Sequence, residues 1–165
     1  MIKLVEKAEQ VSVYLHYFVY EEEDVIGRYL EVVNEGEGEL TVHKAMSFQF
    51  VTPNHDFEAV SLYGTWADEC NKQVSPLGHG RLLFDSINGF SSNRHNPFFL
   101  IKERKATHRS GLVYGFNLVY SGNHQESLEV DTWNNVRIQQ GISPFLFAKK
   151  LGKGASFVTP MAVMP

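Results

Sequence analysis

Leu112-Val113-Tyr114-Gly115-Phe116-Asn117-Leu118-Val119-Tyr120 decides the fold class. Leu112, Tyr114, Phe116, Leu118 and Tyr120 recur at every second position, with small or polar residues between several of them. Side chains on a strand alternate between faces, so this period predicts a half-buried strand and not a helix. The pattern repeats upstream, where Val11, Val13, Leu15, Tyr17 and Val19 alternate with Ser12, Tyr14, His16, Phe18 and Tyr20. Turn chemistry punctuates the runs at Asn34-Glu35-Gly36-Glu37-Gly38, Pro53-Asn54-His55-Asp56, Ser121-Gly122-Asn123 and Gly152-Lys153-Gly154. The spacing predicts about ten short strands and an all-β sandwich or barrel. No segment carries a sustained helical stripe, and no repeat, linker or low-complexity tract divides the chain, so residues 1–165 read as a single domain.

Between about Val60 and Asn96 the alternation weakens. Gly64, Gly78, Gly80, Gly89 and Pro76 interrupt it, followed by the polar cluster Ser91-Ser92-Asn93-Arg94. This stretch reads as long loops leaving a rigid sheet, either bearing a binding site or forming an irregular surface excursion.

Composition narrows the function classes. A net charge of −4 with interspersed signs argues against a nucleic-acid partner, which requires a basic surface. No apolar run is long enough to span a bilayer, and the first ten residues, MIKLVEKAEQ, lack the apolar core of a signal peptide. The single cysteine, Cys70, forms no internal disulfide and suits a reducing cytoplasm as an inert thiol.

Candidate chemistry is sparse. The seven histidines, at 16, 43, 55, 79, 95, 108 and 124, show no metal-ligand spacing, so exposed or strand positions are expected and no metal site. Asp56 with Glu58, Asp68 with Glu69, and Asp131 are the carboxylates to weigh for glycosidase chemistry. Each reads better as a solvated carboxylate beside a turn. Glu21-Glu22-Glu23-Asp24 reads as a solvated hairpin tip, because four like charges resist burial. The two tryptophans, Trp66 and Trp133, could stack on the apolar face of a sugar; the general tendency of tryptophan favours partial burial for both, while Gly64 and Asp68-Glu69 beside Trp66 predict an exposed loop for it.

A longer ordered series shifts one of these readings. Gly64-Thr65-Trp66-Ala67, Pro76-Leu77-Gly78, Gly89-Phe90-Ser91-Ser92 and Asn96-Pro97-Phe98 come first. Val113 to Asn123, Val130-Asp131, Arg137, Gly141-Ile142-Ser143-Pro144 and Phe157-Val158-Thr159-Pro160 follow. Tyr17-Phe18-Val19-Tyr20-Glu21-Glu22, Asn34-Glu35-Gly36 and Ala45-Met46-Ser47 precede them. The series resembles the N-terminal domain of glycoside hydrolase family 36 alpha-galactosidases over nearly the whole chain. The resemblance implies a galactose-mutarotase-like β-supersandwich, present here in part as roughly the second half of that domain. In the family it precedes a (β/α)8 barrel that hydrolyses terminal α-galactosides such as melibiose and raffinose with retention. The family's nucleophile lies in a barrel motif of the KWDMN type and its acid/base aspartate lies later. Neither occurs here, so the resemblance assigns no catalytic residue and no cofactor.

It does assign one site residue. The family's GxW tryptophan reaches toward the galactose pocket, and in this sequence that is Trp66. Trp133 has no such counterpart and is expected to be packing. The family's W-A-R-E, S-x-R-G and S-S-H become Trp66-Ala67-Asp68-Glu69, Ser86-Ile87-Asn88-Gly89 and Ser91-Ser92-Asn93, so Asp68, Asn88 and Asn93 replace Arg, Arg and His. Any charge-assisted contact those groups make is lost or rebuilt. The implied role is domain packing against the barrel, oligomer assembly (the family is often tetrameric) and part of an α-galactoside pocket. Two other classes remain open: a free-standing galactoside-binding module and a small sugar mutarotase.

Overall fold

A computed structural model describes residues 1–164. It contains fifteen strands in chain order. They are β1 (Ile2–Glu6), β2 (Val11–Tyr20), β3 (Val25–Asn34), β4 (Leu40–Val42), β5 (Met46–Pro53), β6 (Phe57–Thr65), β7 (Asp68–Pro76) and β8 (Gly80–Ser86). Then come β9 (His95–Glu103), β10 (Val113–Val119), β11 (His124–Val130), β12 (Asn135–Ile142), β13 (Lys149–Leu151), β14 (Ser156–Val158) and β15 (Met161–Met164). The all-β sandwich expected from the periodicity is what the chain forms. The count exceeds the expected ten in part because β4, β13 and β14 are only three residues long, too short to show a period.

One layer is a nine-stranded antiparallel sheet in the order β1-β2-β3-β15-β10-β9-β6-β7, with β14 pairing β3 off that path. The facing layer is the sheet β11-β12-β5, with β8 lying along β11, and β13 with β4 forms a separate ribbon. The core lies between the layers. Phe116 and Phe99 are direct cross-strand neighbours, stacked at 4.9 Å between ring centroids, and Phe48 of β5 meets Phe116 from the facing layer at 5.7 Å. Leu118, Leu128, Val136, Ile138 and Ile101 fill the space around them. The opening alternation therefore sorts as expected: Phe116 and Leu118 are buried, while Asn117 and Val119 face out. Burying one phenylalanine contributes about 1.5–3 kcal/mol, and the cluster holds Phe48, Phe57, Phe84, Phe99 and Phe116.

The stretch from 60 to 96 departs from expectation. It is mostly strand, carried by β6, β7, β8 and the start of β9, with short connections at 66–67, 77–79 and 87–94. The alternation was weak there for a structural reason. β7 is an edge strand exposed at nearly every position, so no buried face patterns its sequence. Asp68, Glu69, Lys72 and Pro76 on it are residues that protect an edge from adventitious pairing. Glu21–Asp24 does form the tip between β2 and β3, exposed throughout, with Asp24 at φ 52°.

Candidate functional site: the Trp66 end of the sandwich

Strand directions place the candidate residues. β6 runs toward its tip at Trp66, β9 leaves from that end (Tyr63 pairs His95), and β10 returns to it (Asn117 pairs Phe98). The facing layer joins at the start of β11, where His124 reaches the His95 carbonyl at 3.2 Å. Trp66, the connection 87–94 and the turn 120–123 therefore share one end. Trp133, beyond the far end of β11, lies at the other.

Trp66 and Ala67 form a two-residue turn between Thr65 and Asp68, which pair directly. Ala67 takes the left-handed φ of 61° that such a tight hairpin demands. Gly64 is required by close backbone approach, since a Cβ there would lie 2.5 Å from the Asp68 carbonyl and 2.7 Å from Glu69 Cα. The register shifts at this point, so Gly64 marks a bulge that bends the hairpin tip. The result projects the Trp66 side chain, 87% exposed, off the sheet. The partial burial typical of a tryptophan does not occur, in keeping with the poor fit of Gly64 and Asp68-Glu69 to a buried strand position.

The neighbouring loop is tied to this hairpin and to the next turn. Asn93 Nδ2 donates to Glu69 Oε1 at 3.1 Å, and Asn71 Nδ2 donates to the Asp68 carboxylate at 3.0 Å. The Gly89 amide donates to Asn123 Oδ1 at 2.7 Å, and the Ser91 amide to the Ser121 carbonyl at 2.8 Å. Phe90, Phe145 and Leu146 stand exposed here, with Ser143 bonded to Asn123 through the backbone. These exposed apolar residues come from segments remote in sequence whose connections lie at the same end of the sandwich as Trp66.

The other candidates resolve into structural roles. Asp56 is exposed and accepts a bidentate pair from Arg104 at 3.0 and 3.1 Å. Glu58 corrects the solvated reading: it is largely shielded within the sheet and bonded at 2.8 Å to Lys102, its cross-strand neighbour. Asp131 accepts from the Trp133 and Asn135 amides at 2.9 and 2.8 Å, and from Asn135 Nδ2 at 3.1 Å. These bonds, the Asn135 amide foremost, hold its carboxyl below the usual aspartate range. Trp133, expected as packing, is instead 82% exposed, because its turn is ordered by Asp131 and Asn134 without it. Cys70 is an exposed free thiol. Among the described residues no group of three or more His, Cys, Asp or Glu is arranged to hold a metal ion. The described residues contain no helix long and apolar enough to cross a membrane.

A buried polar cluster escaped the sequence reading. His124 and Glu126 are 0% and 1% exposed, with Nδ1 at 3.0 and 3.1 Å from the two carboxylate oxygens. Gln140 Nε2 donates to the same carboxylate at 3.3 Å and to the Pro97 carbonyl at 3.2 Å. Burial pushes the Glu126 carboxyl above its usual range, and the bond from His124 offsets part of that rise. The available signal was spacing: residues 124 and 126 share a strand face with Leu128 and Val130.

The glycosyl hydrolase family 36 N-terminal domain model matches residues 1–152. The chain belongs to this family. It is 36% identical over 163 residues to the bifunctional alpha-galactosidase/sucrose kinase AgaSK of Mediterraneibacter gnavus, a match covering 99% of this chain and 17% of the relative. Alpha-galactosidase AgaA of Geobacillus stearothermophilus is 37% identical over 154 residues, covering 93% of this chain and 21% of that protein. The solved AgaA structure in complex with raffinose superposes at a TM-score of 0.95 and 36% identity, covering 98% of this chain and 23% of that one. A galactose mutarotase-like protein from Lactobacillus casei shares the fold alone, at a TM-score of 0.50 and 8% identity. The family 36 chain spans about a fifth of the length of the curated relatives it matches. Two of the three departures in this family member rebuild local contacts: Asp68 bonds Asn71 and Asn93 bonds Glu69. Among the described residues Asn88 has no side-chain hydrogen-bond partner.

Proposed function

We propose that this chain is the non-catalytic N-terminal β-sandwich region of an alpha-galactosidase that hydrolyses terminal α-D-galactosides of the melibiose and raffinose type. In this reading it packs on a catalytic (β/α)8 barrel, contributes to a homo-oligomer of the tetrameric kind, and lends Trp66 to one face of the galactoside pocket. The observation that carries the reading is the exposed Trp66 on a hairpin tip, in a chain that matches alpha-galactosidases from end to end. An indole supplies a flat apolar surface for the C–H face of a sugar, while hydroxyl recognition and the carboxylate pair come from the barrel. A reducing, cytoplasmic setting suits the exposed free thiol of Cys70.

The carboxylates support a non-catalytic assignment. His79, Glu129 and Asp131 line one open cleft, yet Glu129 is held by Arg137 at 2.6 Å and Asp131 by its own turn. The pair His124–Glu126 has no path to a substrate. The test is an assay of nitrophenyl α-galactoside hydrolysis by the chain alone and by the full-length parent. The chain is expected to be inert and to bind galactose weakly, because half a pocket cannot bury a ligand. Micromolar galactose binding would move the reading to a free-standing module. Interconversion of galactose anomers would move it to a mutarotase.

A further inference from the structure

The hydrogen-bond geometry of the buried cluster dictates where its protons lie. His124 Nε2 faces the His95 carbonyl at 3.2 Å, and a carbonyl oxygen can only accept, so Nε2 carries a hydrogen. The other ring nitrogen, Nδ1, faces both Glu126 oxygens at 3.0 and 3.1 Å. A bare Nδ1 and an ionised carboxylate are both acceptors and would repel. A further proton therefore lies between them, on Nδ1 as an imidazolium–carboxylate pair or on the carboxyl as a neutral acid. Either arrangement leaves the pair with no net charge, which suits groups that are 0% and 1% exposed.

We infer that His124 and Glu126 share one obligatory buried proton, and that with Gln140 they form a pH-sensitive lock on the end of the sandwich that bears Trp66. The lock bridges the layers. His124 and Glu126 sit on β11, Gln140 on β12, and their bonds end on the carbonyls of His95 and Pro97 in β9. His95 pairs directly with Tyr63, three residues before Trp66, so the cluster fixes the base of the hairpin and the exit of the 87–94 connection. His124, Glu126 and Gln140 are positioning residues and touch nothing outside the fold. The titratable group from a neighbouring element whose charge reaches the pair is Asp85 of β8, which favours the protonated carboxyl, while β9 meets the pair through the backbone carbonyl of His95. Gln140, from β12, is neutral. Its Nε2 hydrogens are already given to the Glu126 carboxylate and the Pro97 carbonyl, so it has none left to replace the shared proton if that proton leaves.

The consequence is a stability that depends on pH with a defined sign. Above about pH 6.5 a free imidazole is mostly unprotonated, so the unfolded chain binds nearly one proton fewer here than the folded chain. Stability from the pair is then lost as pH rises. The folded-to-unfolded ratio should fall by about tenfold per pH unit until the folded pair gives up its proton. Glu126→Gln removes that dependence while keeping the fold, because a glutamine amide donates to a neutral Nδ1 permanently.

The experiment is urea unfolding of the chain between pH 6.5 and 9.5 for the wild type and Glu126→Gln, with imidazole nitrogen NMR of His124 alongside. The wild type is expected to lose about tenfold per pH unit relative to the variant. The His124 spectrum is expected to show Nε2 protonated throughout. Parallel pH curves, or a spectrum in which Nε2 is bare, would overturn the inference. If the variant does not fold, the wild type decides alone: its proton count on unfolding at pH 8 and the state of Nε2 either match one shared buried proton or refute it. None of these readouts depends on the role of Trp66.

Discussion

Trp66 and Trp133 are exposed to nearly the same degree, 87% and 82%, on turns at opposite ends of one sandwich. Their surroundings differ. The Trp133 turn is self-contained: Asp131 takes three bonds from it, Asn134 sits at φ 62°, and Asn54 ties it to the β5–β6 connection at 3.1 Å. The Trp66 turn is the tip of an edge hairpin, bent by the Gly64 bulge and steadied mainly by the neighbouring loop through Asn93 and Glu69. At the same end of the sandwich as Trp66, Phe90, Phe145 and Leu146 are also exposed, on connections drawn from distant segments. Exposure alone therefore does not mark a site. The hydrogen-bond links between segments are the more informative feature: at the Trp66 end the hairpin, the 87–94 connection and the 120–123 turn are tied to one another.

The comparison is sharpened first by a core control. Phe116→Ala should destabilise the chain by about 3–5 kcal/mol in denaturant unfolding, the cost of removing a buried aromatic. Trp66→Ala and Trp133→Ala should each cost less than about 0.5 kcal/mol by the same measurement. A loss at either tryptophan as large as at Phe116 would mean that its ring packs in the core.

Gly64→Ala should come next, at about 1–3 kcal/mol, because the added methyl would clash with fixed backbone and not with a yielding side chain. The hairpin tip should shift with it, seen as changed amide shifts from Thr65 to Cys70. Unchanged shifts would mean that the bulge does not aim Trp66.

In the proposed full-length alpha-galactosidase, Trp66→Ala is expected to lower kcat/KM by about tenfold, near 1.4 kcal/mol. Trp133→Ala is expected to leave it within about twofold, below half a kcal/mol. Equal effects at both positions would break the distinction between the two ends, and the reverse order would move the pocket to the Trp133 end.

The smallest effect belongs to the Trp133 turn under acid. Asp131 has its pKa lowered in the fold by bonds led by the Asn135 amide, so its contribution is present above the ordinary aspartate range. It is lost as pH falls through the depressed folded value. Asp131→Asn should flatten that part of the acid unfolding curve and leave the Trp66 hairpin shifts unmoved. Coupled changes at both turns would show that the two ends do not behave independently.

Much of this was legible before the fold was seen. Period-2 runs identify β2 and β10, and the Glu21–Asp24 tip follows from four adjacent acids. The exposed setting of Trp66 was legible from its neighbours, since Gly64 and Asp68-Glu69 suit no buried strand position, although tryptophan in general tends toward burial. Reading 60–96 as loops failed because edge strand β7 has no buried face to impress a pattern on its residues. Trp133 was misjudged for a related reason: nothing local distinguishes a tryptophan on a self-ordered turn from one that packs.

The sequence by itself determined where strands and turns fall, because strand period and turn chemistry are properties of a few consecutive residues. Only the tertiary structure decided which turns meet. Asn93 finds Glu69 across 24 positions, and the Gly89 amide finds Asn123 across 34, through sheet order that no local pattern encodes. The same holds for His124, Glu126 and Gln140. Each is an unremarkable polar residue in the chain, and each becomes part of a proton-sharing cluster only when two layers close over it and exclude water.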